Sequence, residues 1–385
     1  MRKLKWIVLG LGVLTLAFFA LAPGIVERSM NRMVVIDLPK VDNRSQTLHE
    51  RLFVADMHAD TLLWKRSLSK RANRGHADIP RLQDGNVALQ VFATVTKSPA
   101  SLNYDSNSAD SDTIGLLAFA QLQPPRTWNS LLQRSLWHAR RLHDVANDDA
   151  RLMMVKTKSD LRELQQRRAA GEAVMGGMLG VEGLHNLEAQ ATNLQLLFDA
   201  GYRMAGLTHF FDNALAGSMH GLEKGGLTDF GRGIVQEMEA LGMAIDIAHL
   251  SPKAVDEVLA MATRPIVVSH GGVKALCNAN RNLTDTQIRG VAATGGVIGI
   301  GYWPGAICNT HPDAVAAAML HVVDLVGIDH VGLGSDYDGA VQVAFDTSAL
   351  ALITGALQRQ GLSDREIAQV MGGNVVRVLS ETLPD

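Results

Sequence analysis

Short runs of apolar residues alternate along the chain with segments whose apolar residues recur at helical spacing. Most of these runs contain no polar residue, which is typical of parallel strands that are covered on both faces. Eight runs of this kind predict strands at Leu52–Asp56, Val87–Val95, Val174–Val181, Met204–Leu207, Met243–Ala248, Pro265–Ser269, Gly296–Gly301 and His330–Gly334. The alternation of strands with helices predicts an α/β fold built from repeated strand–helix units.

Signals for helix ends fall between the predicted strands. Ser251 followed by Pro252 is typical of a helix start, and Thr284 with Gln287 fits a capping box. Eight strands with helical crossovers predict a closed (β/α)8 barrel. The alternative is a doubly wound open sheet, but no Gly-x-Gly-x-x-Gly turn follows the first strand. The insertion at 96–172 should carry a helix near Leu131–Val145 and pack beside the barrel mouth.

The N-terminus has the pattern of a membrane anchor. Arg2, Lys3 and Lys5 precede the uncharged segment Trp6–Val26, whose 21 residues are long enough to span a bilayer. Positive charge before the segment predicts a cytoplasmic N-terminus, with the rest of the chain on the periplasmic or extracellular side. The alternatives are a signal peptide cleaved after Ala20-Leu21-Ala22 and a cytosolic protein. The predicted organisation is an anchor at 1–26, a polar stalk at 27–48 and the barrel at 49–385.

Composition narrows the class of protein further. A hydrophobic content of 47% is enough for a sizeable core, and the net charge of −3 argues against a nucleic-acid partner. The two cysteines, Cys277 and Cys308, can form at most one disulfide. Their number does not decide between an oxidising and a reducing compartment.

Ionisable residues follow six of the eight predicted strands. In a (β/α)8 barrel these positions share one mouth, where the chemistry takes place. The residues that we take as candidates are His58, Asp60, Glu182, His209, His249, His270 and Asp336.

Imidazoles and carboxylates together are typical ligands of zinc. The side chains of His58 and Asp60 are two residues apart and can hold one ion from one side of a strand. The whole set exceeds the needs of one open zinc site, so two metals that share a carboxylate fit better. A single histidine after a strand is usually structural, but four at equivalent positions favour metal binding. We interpret the other nine histidines, including His185 and His220, as surface or packing residues. Asp56 and Asp338 are either hydrogen-bond partners of the ligands or structural residues, and we interpret both as structural.

These residues lie in motifs that resemble the membrane dipeptidases (renal dipeptidase family), a branch of the amidohydrolase-like metal hydrolases. The resemblance covers about residues 50–380. The matching motifs are Asp-Met-His58-Ala-Asp60-Thr, His76-Ala-Asp-Ile-Pro-Arg81-Leu, Gly-Val-Glu182-Gly, Leu-Thr-His209, Gly226-Leu-Thr-Asp-Phe-Gly231, Asp246-Ile-Ala-His249-Leu-Ser, Ser269-His270, Asn280-Arg281-Asn282 and Gly-Ser-Asp336-Tyr-Asp338-Gly.

The resemblance implies a zinc-dependent hydrolase that cleaves dipeptides with an L- or D-configured C-terminal residue. It implies that His58 and Asp60 bind one zinc, that His249 and His270 bind a second, and that Glu182 bridges the two. Hydroxide held between the metals would attack the peptide carbonyl. Asp336 would transfer the proton, His209 would steady the oxyanion, and Arg281 would bind the C-terminal carboxylate. The resemblance further implies that two subunits can pair as a homodimer.

The chain departs from the family pattern beside the substrate. Gly271-Gly272 follows the metal-binding His270 where the family more often has Ser or Asn, and the segment after His209 lacks the usual Trp. Both departures leave the side-chain preference open. The alternative functions are a related metal hydrolase acting on an N-acyl amino acid, a lactone or a deaminase substrate, and a catalytically inactive anchored binding protein. A single metal in place of two is a further alternative.

Overall fold

The computed structural model describes residues 2–385, and eight parallel strands close into a barrel at its centre. In chain order the barrel strands are β1 (Val54–Ala59), β2 (Val87–Val95), β3 (Met175–Glu182), β4 (Tyr202–Gly206), β5 (Ala244–Asp246), β6 (Val267–Gly271), β7 (Val297–Ile300) and β8 (Val331–Leu333). Each strand pairs with its neighbours in the chain, and β8 pairs with β1. The β2–β3 pairing runs from Leu89↔Gly176 to Val95↔Glu182. The predicted (β/α)8 barrel is therefore confirmed.

The predicted strands differ from the observed ones mainly at their ends. The first run was predicted at Leu52–Asp56, whereas β1 begins and ends later, at Val54–Ala59. One strand was not predicted at all: Leu152–Met154 pairs with the start of β3, with Leu152 opposite Met175. Its three residues are too few to form a recognisable apolar run, so only the tertiary pairing identifies it.

Helices surround the barrel and connect its strands. The α-helices span Arg2–Met30, Asn43–His49, Ile79–Asp84, Thr113–Ala120, Arg126–Asn129, Leu131–Asp148, Lys158–Ala169, Thr192–Asp199, Asp229–Leu241, Pro252–Met261, Asp285–Ala293, Pro304–Ile307, Pro312–Val326, Ala351–Arg359, Asp364–Ala368 and Asn374–Thr382. Short 3₁₀ turns occur at Thr61–Leu63, Leu184–Leu187, Ile328–His330 and Thr347–Ala349, and a π turn at Gln369–Gly373. A second, two-stranded sheet joins Arg32–Met33 to Gln342–Val343.

The helix ends use the residues that the sequence predicts. The Ser251 side chain accepts a hydrogen bond from the backbone N–H of Ala254, and Thr284 forms a complete capping box with Gln287. These side chains satisfy backbone N–H groups that have no partner inside a helix. At the other end of a helix, Gly242 has a φ of 74°, a left-handed conformation that favours glycine.

Successive strand residues alternate between two buried apolar clusters. Met204, Ala244, Val267 and Val297 belong to the smaller cluster. Their chain neighbours Ala205, Ile245, Val268 and Ile298 belong to the larger one, which contains residues from most of the surrounding helices, whereas the smaller one takes helix residues only from Lys158–Ala169 and Asn374–Thr382. Because strand side chains point to opposite faces in turn, the smaller cluster is the barrel interior and the larger one is the layer between strands and helices.

The insertion between β2 and β3 packs on the barrel, and its main helix spans Leu131–Asp148, close to the prediction. The buried Arg134 side chain donates hydrogen bonds to the carbonyls of Thr96 and Thr127, both at 2.6 Å. Arg134 also pairs with Asp112 at 2.6 Å. These contacts tie the helix to the segment that leaves β2 at the barrel mouth.

The N-terminal helix Arg2–Met30 is docked on the barrel at its C-terminal end. The carboxylate of Glu27 forms ion pairs with Arg66 at 2.7 Å and with Arg74 at 2.6 Å. The Lys3–Met30 part of this helix is long and apolar enough to cross a membrane. A membrane anchor and a signal sequence both have these properties.

Cys277 and Cys308 form a disulfide. The bond closes the connection that runs from the end of β6 past β7, and Arg281 lies inside this loop. The sequence left open whether these two cysteines pair, and the structure shows that they do.

A substitution of Leu142 tests whether the insertion helix packs as part of the hydrophobic core. Its side chain is fully buried and lies against Gly177 of β3. We expect Leu142→Ala to lower the free energy of unfolding by about 2–5 kcal/mol, because it leaves a cavity that the neighbours fill incompletely. Leu196→Ala is the matched control on an exposed surface and should change it by less than about 0.5 kcal/mol. Equal effects of the two changes in urea denaturation would contradict this account.

Candidate metal centre and active site

All the candidate site residues lie at the mouth formed by the C-terminal ends of the strands. His58, Glu182 and His270 are themselves strand residues, whereas His209 and His249 follow β4 and β5 by three residues each. Asp60 and Asp336 lie just beyond β1 and β8, and Arg281 lies in the loop after β6. The parallel direction of the strands brings them together, although they span most of the domain's sequence.

The carboxylate of Glu182 lies at the centre of the cluster. Its Oε1 atom is 2.9 Å from Nε2 of His249, 3.3 Å from Nε2 of His270 and 3.8 Å from Nε2 of His58. Its Oε2 atom is 3.5 Å from Nε2 of His209. Asp60 completes the arrangement, with Oδ2 3.4 Å from Nε2 of His58. Four imidazole nitrogens and two carboxylates therefore face one small volume.

A serine beneath the cluster sets the protonation of two of these imidazoles. The Ser269 hydroxyl donates to Oδ2 of Asp246 at 2.5 Å. Its oxygen then accepts from Nδ1 of His58 at 3.2 Å and from Nδ1 of His270 at 2.9 Å. Since a hydroxyl has one proton and two lone pairs, both rings carry their proton on Nδ1. Nε2 is therefore the atom of each ring that faces Glu182 and can bind a metal, and the Nε2 proton of His58 would be released when the cation binds.

The electrostatics of the cluster fit a bound cation. Nε2 of His58 and Oδ1 of Asp60 are buried and have no hydrogen-bond partner. Burial, the strongest influence, opposes protonation of His58, but the charges of Asp60 and Glu182 outweigh it and raise the pKa of His58 to about 10. Burial and then the charge of Glu182 raise the pKa of the Asp60 carboxyl. A divalent cation would relieve this crowding of buried negative charge.

Two overlapping sets of ligand atoms share Glu182. His58, Asp60 and Glu182 form one set, and Glu182, His209 and His249 form another, with the ligand atoms of each set within 4.8 Å of one another. His270 joins the second set through the 2.9 Å separation of its Nε2 from Nε2 of His249. The residues present therefore fit a metal centre in which one carboxylate can serve two ions.

Asp336 lies beside the cluster on a constrained backbone. Its φ of 58° and that of His249, at 64°, are unusual for residues with a side chain. A Cβ atom on Gly339 would lie within 2.7 Å of Oδ2 of Asp60 and closer still to the Asp336 carboxylate, so this position admits only glycine. Burial, opposed by the charge of His58, raises the pKa of Asp336 well above its usual range, and the charges of Asp60 and Glu182 add to the rise. The Asp336 carboxyl can therefore exchange a proton near the metal ligands.

A cavity of about 680 Å³ opens over the cluster. Asp60, Glu182, His209, His249 and Asp336 line its floor, and apolar side chains form most of its wall. Two of these wall residues, Val26 and Met30, come from the N-terminal helix. Most of the cleft surface is therefore apolar, and the N-terminal helix forms part of its wall.

Arg281 is the cationic residue of this cleft. Its guanidinium lies over the ring of Trp303, 4.5 Å from the ring centre. The residue is 4% exposed, its Nη1 atom has no hydrogen-bond partner, and no carboxylate pairs with it among residues 2–385. A buried guanidinium of this kind is poised to receive an anionic group from a ligand.

Sequence reasoning left some contributors to the site without a role. The sequence places Asp246 and Ser269 in motifs without a role, whereas in the structure they contact Nδ1 of two candidate ligands, His58 and His270, through the Ser269 hydroxyl. Asp56, interpreted as structural, accepts from the backbone N–H of His58 at 3.0 Å and so supports the end of β1. A repeated pattern could have identified the aspartates, since both Asp56 and Asp246 precede a histidine near a strand end.

His185 and His220, which the sequence analysis interprets as surface or packing residues, are buried beside the site. His220 stacks on Phe210 with ring centres 4.5 Å apart, and its Nδ1 faces the carbonyl of Tyr104 at 2.8 Å. Nε2 of His185 lies 2.9 Å from the hydroxyl of Thr96. Both are packing residues of the mouth, and neither belongs to the sets of ligand atoms around Glu182.

The chain is similar in sequence to proteins that are named dipeptidases. The chain is 28% identical over 317 residues to the dipeptidase tcpJ of Claviceps purpurea, which covers 80% of this chain and 69% of that protein. It is 33% identical over 219 residues to an uncharacterized dipeptidase of Schizosaccharomyces pombe, covering 54% of this chain. The match spans 53%, about half, of the length of this yeast relative.

Solved structures share the fold. The probable dipeptidase PvdM from Pseudomonas aeruginosa superimposes with a TM-score of 0.71 at 22% identity, covering 88% of this chain and 97% of that one. A metallo peptidase from Rhodobacter sphaeroides, liganded with a phosphinate mimic of the dipeptide L-Ala-D-Ala, gives a TM-score of 0.68 at 23% identity. The alignment covers 86% of this chain and 99% of that one.

A family model describes most of the chain. Residues 42–383 match the family described as "Membrane dipeptidase (Peptidase family M19)". The match includes the whole barrel with every candidate ligand, Asp336 and Arg281. Because this match covers most of the chain, and the fold and the metal-binding cluster agree with it, the chain belongs to the membrane dipeptidase family.

Proposed function

We propose that this protein is a zinc-dependent dipeptidase, held at a membrane by its N-terminal helix. The observation that carries the substrate class is the isolated Arg281 guanidinium beside a cluster of metal ligands. A small substrate with a free carboxylate would supply its missing partner. Family membership supports the reaction type, and the dipeptide mimic bound by the Rhodobacter sphaeroides relative supports the substrate class.

The proposed ligands divide between two zinc ions. His58 and Asp60 would hold one ion, His249 and His270 the other, and Glu182 would bridge them. When bound, such a pair of ions polarises a carbonyl and lowers the pKa of water to near neutrality. The contacts of Nδ1 of His58 and of His270 with the Ser269 hydroxyl would leave Nε2 of each ring as the metal-binding atom.

The remaining residues act on the peptide itself. Asp336 would accept the proton of the attacking water and pass it to the leaving amine nitrogen, work worth about 10²–10⁴-fold in rate. His209 would donate from Nε2 to the oxygen that becomes negative as the carbonyl is attacked. For this role Nε2 must carry a proton, and Nδ1 lies 3.4 Å from the carbonyl of Lys97, a long contact that leaves the ring adjustable.

Arg281 would position the substrate. Two N–H groups of a guanidinium can bind both oxygens of a carboxylate, which fixes the end of a short peptide in distance and direction. A longer peptide with an amide at this point would leave the buried guanidinium without an anionic partner. The preference for free-carboxylate dipeptides follows from this geometry, and the cleft accepts an L- or a D-configured C-terminal residue in our proposal.

The N-terminal helix would anchor the enzyme with the barrel outside the cytoplasm. Arg2, Lys3 and Lys5 at the start of the helix favour a cytoplasmic N-terminus. The disulfide between Cys277 and Cys308 supports an oxidising location for the barrel.

Changing Arg281 tests the substrate class. We expect Arg281→Ala to lower kcat/KM for dipeptides with a free C-terminus by about 10- to 150-fold, the range for hydrogen bonds to a charged group. Hydrolysis of the matching C-terminal amides should remain at its low wild-type level. The measurement is steady-state kinetics of the full-length protein in detergent, on a panel of L,L and L,D dipeptides, each free and amidated.

Asp336→Asn is the matched comparison, because it should lower kcat while KM stays near the wild-type value. Equal losses on free and amidated substrates in Arg281→Ala would exclude a carboxylate-binding role. Cleavage of N-acyl amino acids in preference to every dipeptide would favour the related amidohydrolase function instead.

The metal content tests the bridging role of Glu182. We expect two zinc ions per chain by elemental analysis, and loss of activity on chelation that added zinc restores. Glu182→Gln should lose at least one ion, because it weakens a ligand common to both sets of donor atoms. Glu223→Gln, a change at an exposed carboxylate that forms no hydrogen bond or ion pair within residues 2–385, should keep both. Full metal content in Glu182→Gln would rule out the bridge.

The topology has its own test. Reporters fused to the C-terminus should be active only if they function outside the cytoplasm, such as alkaline phosphatase. Green fluorescent protein is active only when it folds in the cytoplasm. Fused at the same position and exported with the barrel, it should be dark. The reverse pattern would show that the barrel stays inside the cell, without bearing on its activity.

A further inference from the structure

The direction in which the N-terminal helix leaves the barrel is fixed by buried contacts. Glu27 is 1% exposed and pairs with Arg66 and Arg74. Nη2 of Arg28 donates to Asn73 at 3.3 Å, and Oδ1 of Asn31 accepts from the backbone N–H of Ala340 at 2.8 Å. Breaking a buried ion pair is costly, so the helix is held as part of the domain.

The same helix contacts the barrel insertion within its apolar segment. The ring of Phe19 packs edge to face on Phe119, with centres 5.4 Å apart. Phe119 packs in turn on Trp128 at 5.1 Å. Phe19 precedes Glu27 by eight residues, about 12 Å along the helix axis, and belongs to the uncharged segment Trp6–Val26. Phe119 therefore lies at a level that a bilayer around this segment would reach.

The surface around Phe119 is apolar and uncovered. Residues 113–125 contain no charge. Within them Leu116 is 71% exposed, Phe119 42% and Leu122 58%, and we call these three side chains the apolar rim. A helix on a soluble surface normally turns polar residues to solvent. The apolar rim, next to a candidate membrane span, has the character of a surface that contacts lipid.

A basic pocket lies beside the apolar rim and shares Leu122 with it. This cavity of about 450 Å³ is lined by Lys65, Arg66, Gln121, Gln123, Trp137 and Arg141, and its lining contains no carboxylate.

Of the three cationic side chains in this pocket, one is neutralised by ion pairs and two are not. Arg66 pairs with Glu27 and Asp338. Arg141, in contrast, donates only to the carbonyls of Leu62 and Trp64, and Lys65 forms no ion pair within residues 2–385. Burial and then the charge of Arg66 lower the pKa of Arg141 to about 10. The basic pocket therefore offers positive charge to an anion from outside the protein.

We propose that the apolar rim and the basic pocket form one surface that docks on the bilayer, with the apolar rim among the lipid tails and Lys65 and Arg141 on the phosphate of an anionic phospholipid. Apolar contact and charge complementarity are the two terms that hold proteins at such surfaces. The inference rests on the proposed membrane anchoring and does not depend on the proposed dipeptidase reaction.

Part of the apolar rim lies on a helix that also lines the substrate cleft. Ile114 and Leu117, on the same short helix as Leu116 and Phe119, line the wall of the 680 Å³ cavity. Val26 and Met30 of the N-terminal helix line it too. Docking would therefore place the two helices that form this part of the cleft wall next to the bilayer.

Spin labels on the full-length protein in nanodiscs test the apolar rim. Both native cysteines are in the disulfide, so Leu116→Cys provides a single labelling site. We expect this label to be reached by oxygen and protected from a water-soluble nickel chelate, as a label in lipid is. Leu196→Cys is the matched control, an exposed leucine of a crossover helix (47%), and should show the opposite pattern.

A third label separates failure of the docking from failure of the anchor. Val8→Cys lies in the exposed part of the candidate span. If Val8→Cys is protected from the nickel chelate but Leu116→Cys is as accessible as Leu196→Cys, the anchoring stands and the docking proposal is overturned. If Val8→Cys is also accessible, the anchoring itself is wrong and the docking falls with it.

Native mass spectrometry tests the basic pocket, using full-length protein released from micelles that contain phosphatidylglycerol. Lys65→Gln should lower the fraction of protein that retains one phosphatidylglycerol by about fivefold, the effect of one lysine near an anionic lipid surface. Lys253→Gln, an exposed lysine on the opposite side of the barrel, should change nothing. Equal retention in both variants, or displacement of the lipid by millimolar inorganic phosphate, would overturn the assignment of a lipid site.

Discussion

Closure of a parallel sheet is the constraint on which the rest of this structure depends. The long pairing of β2 with β3 and the short pairing of β8 with β1 leave the barrel with no open edge. Because all eight strands run in one direction, all their C-terminal ends meet at one mouth. Side chains as distant in sequence as His58 and Ser269, 211 residues apart, are thereby brought within 3.2 Å.

The mouth is assembled against local energetic preferences. Two carboxylates and four imidazoles are buried around Glu182, and His249 and Asp336 adopt backbone conformations that side chains disfavour. Burial of apolar side chains in the barrel interior and between the strands and helices offsets the energetic cost of this site. A cation that binds Glu182 and its neighbours would add stability, since binding to the folded state alone shifts the folding equilibrium.

The N-terminal helix is both a candidate membrane span and a packed part of the domain. Its first part is exposed and apolar, and its last two turns pack against Arg66, Arg74 and the cleft. A helix that only tethered the enzyme would need no such contacts. The contacts join the candidate membrane span to the wall of the cleft.

The sequence by itself determined the fold class, the order of the strands and the types of residue that follow them, because period, burial and capping are local properties. It also indicated the metal ligands, since histidine and aspartate two residues apart on a strand share a side. The tertiary structure alone decided which atoms face each other. The proton on Nδ1 of His58, the isolation of Arg281 and the contact of Phe19 with Phe119 each depend on residues far apart in the chain. Local patterns carry no information about such distances, which only the closed barrel and its packed helices define.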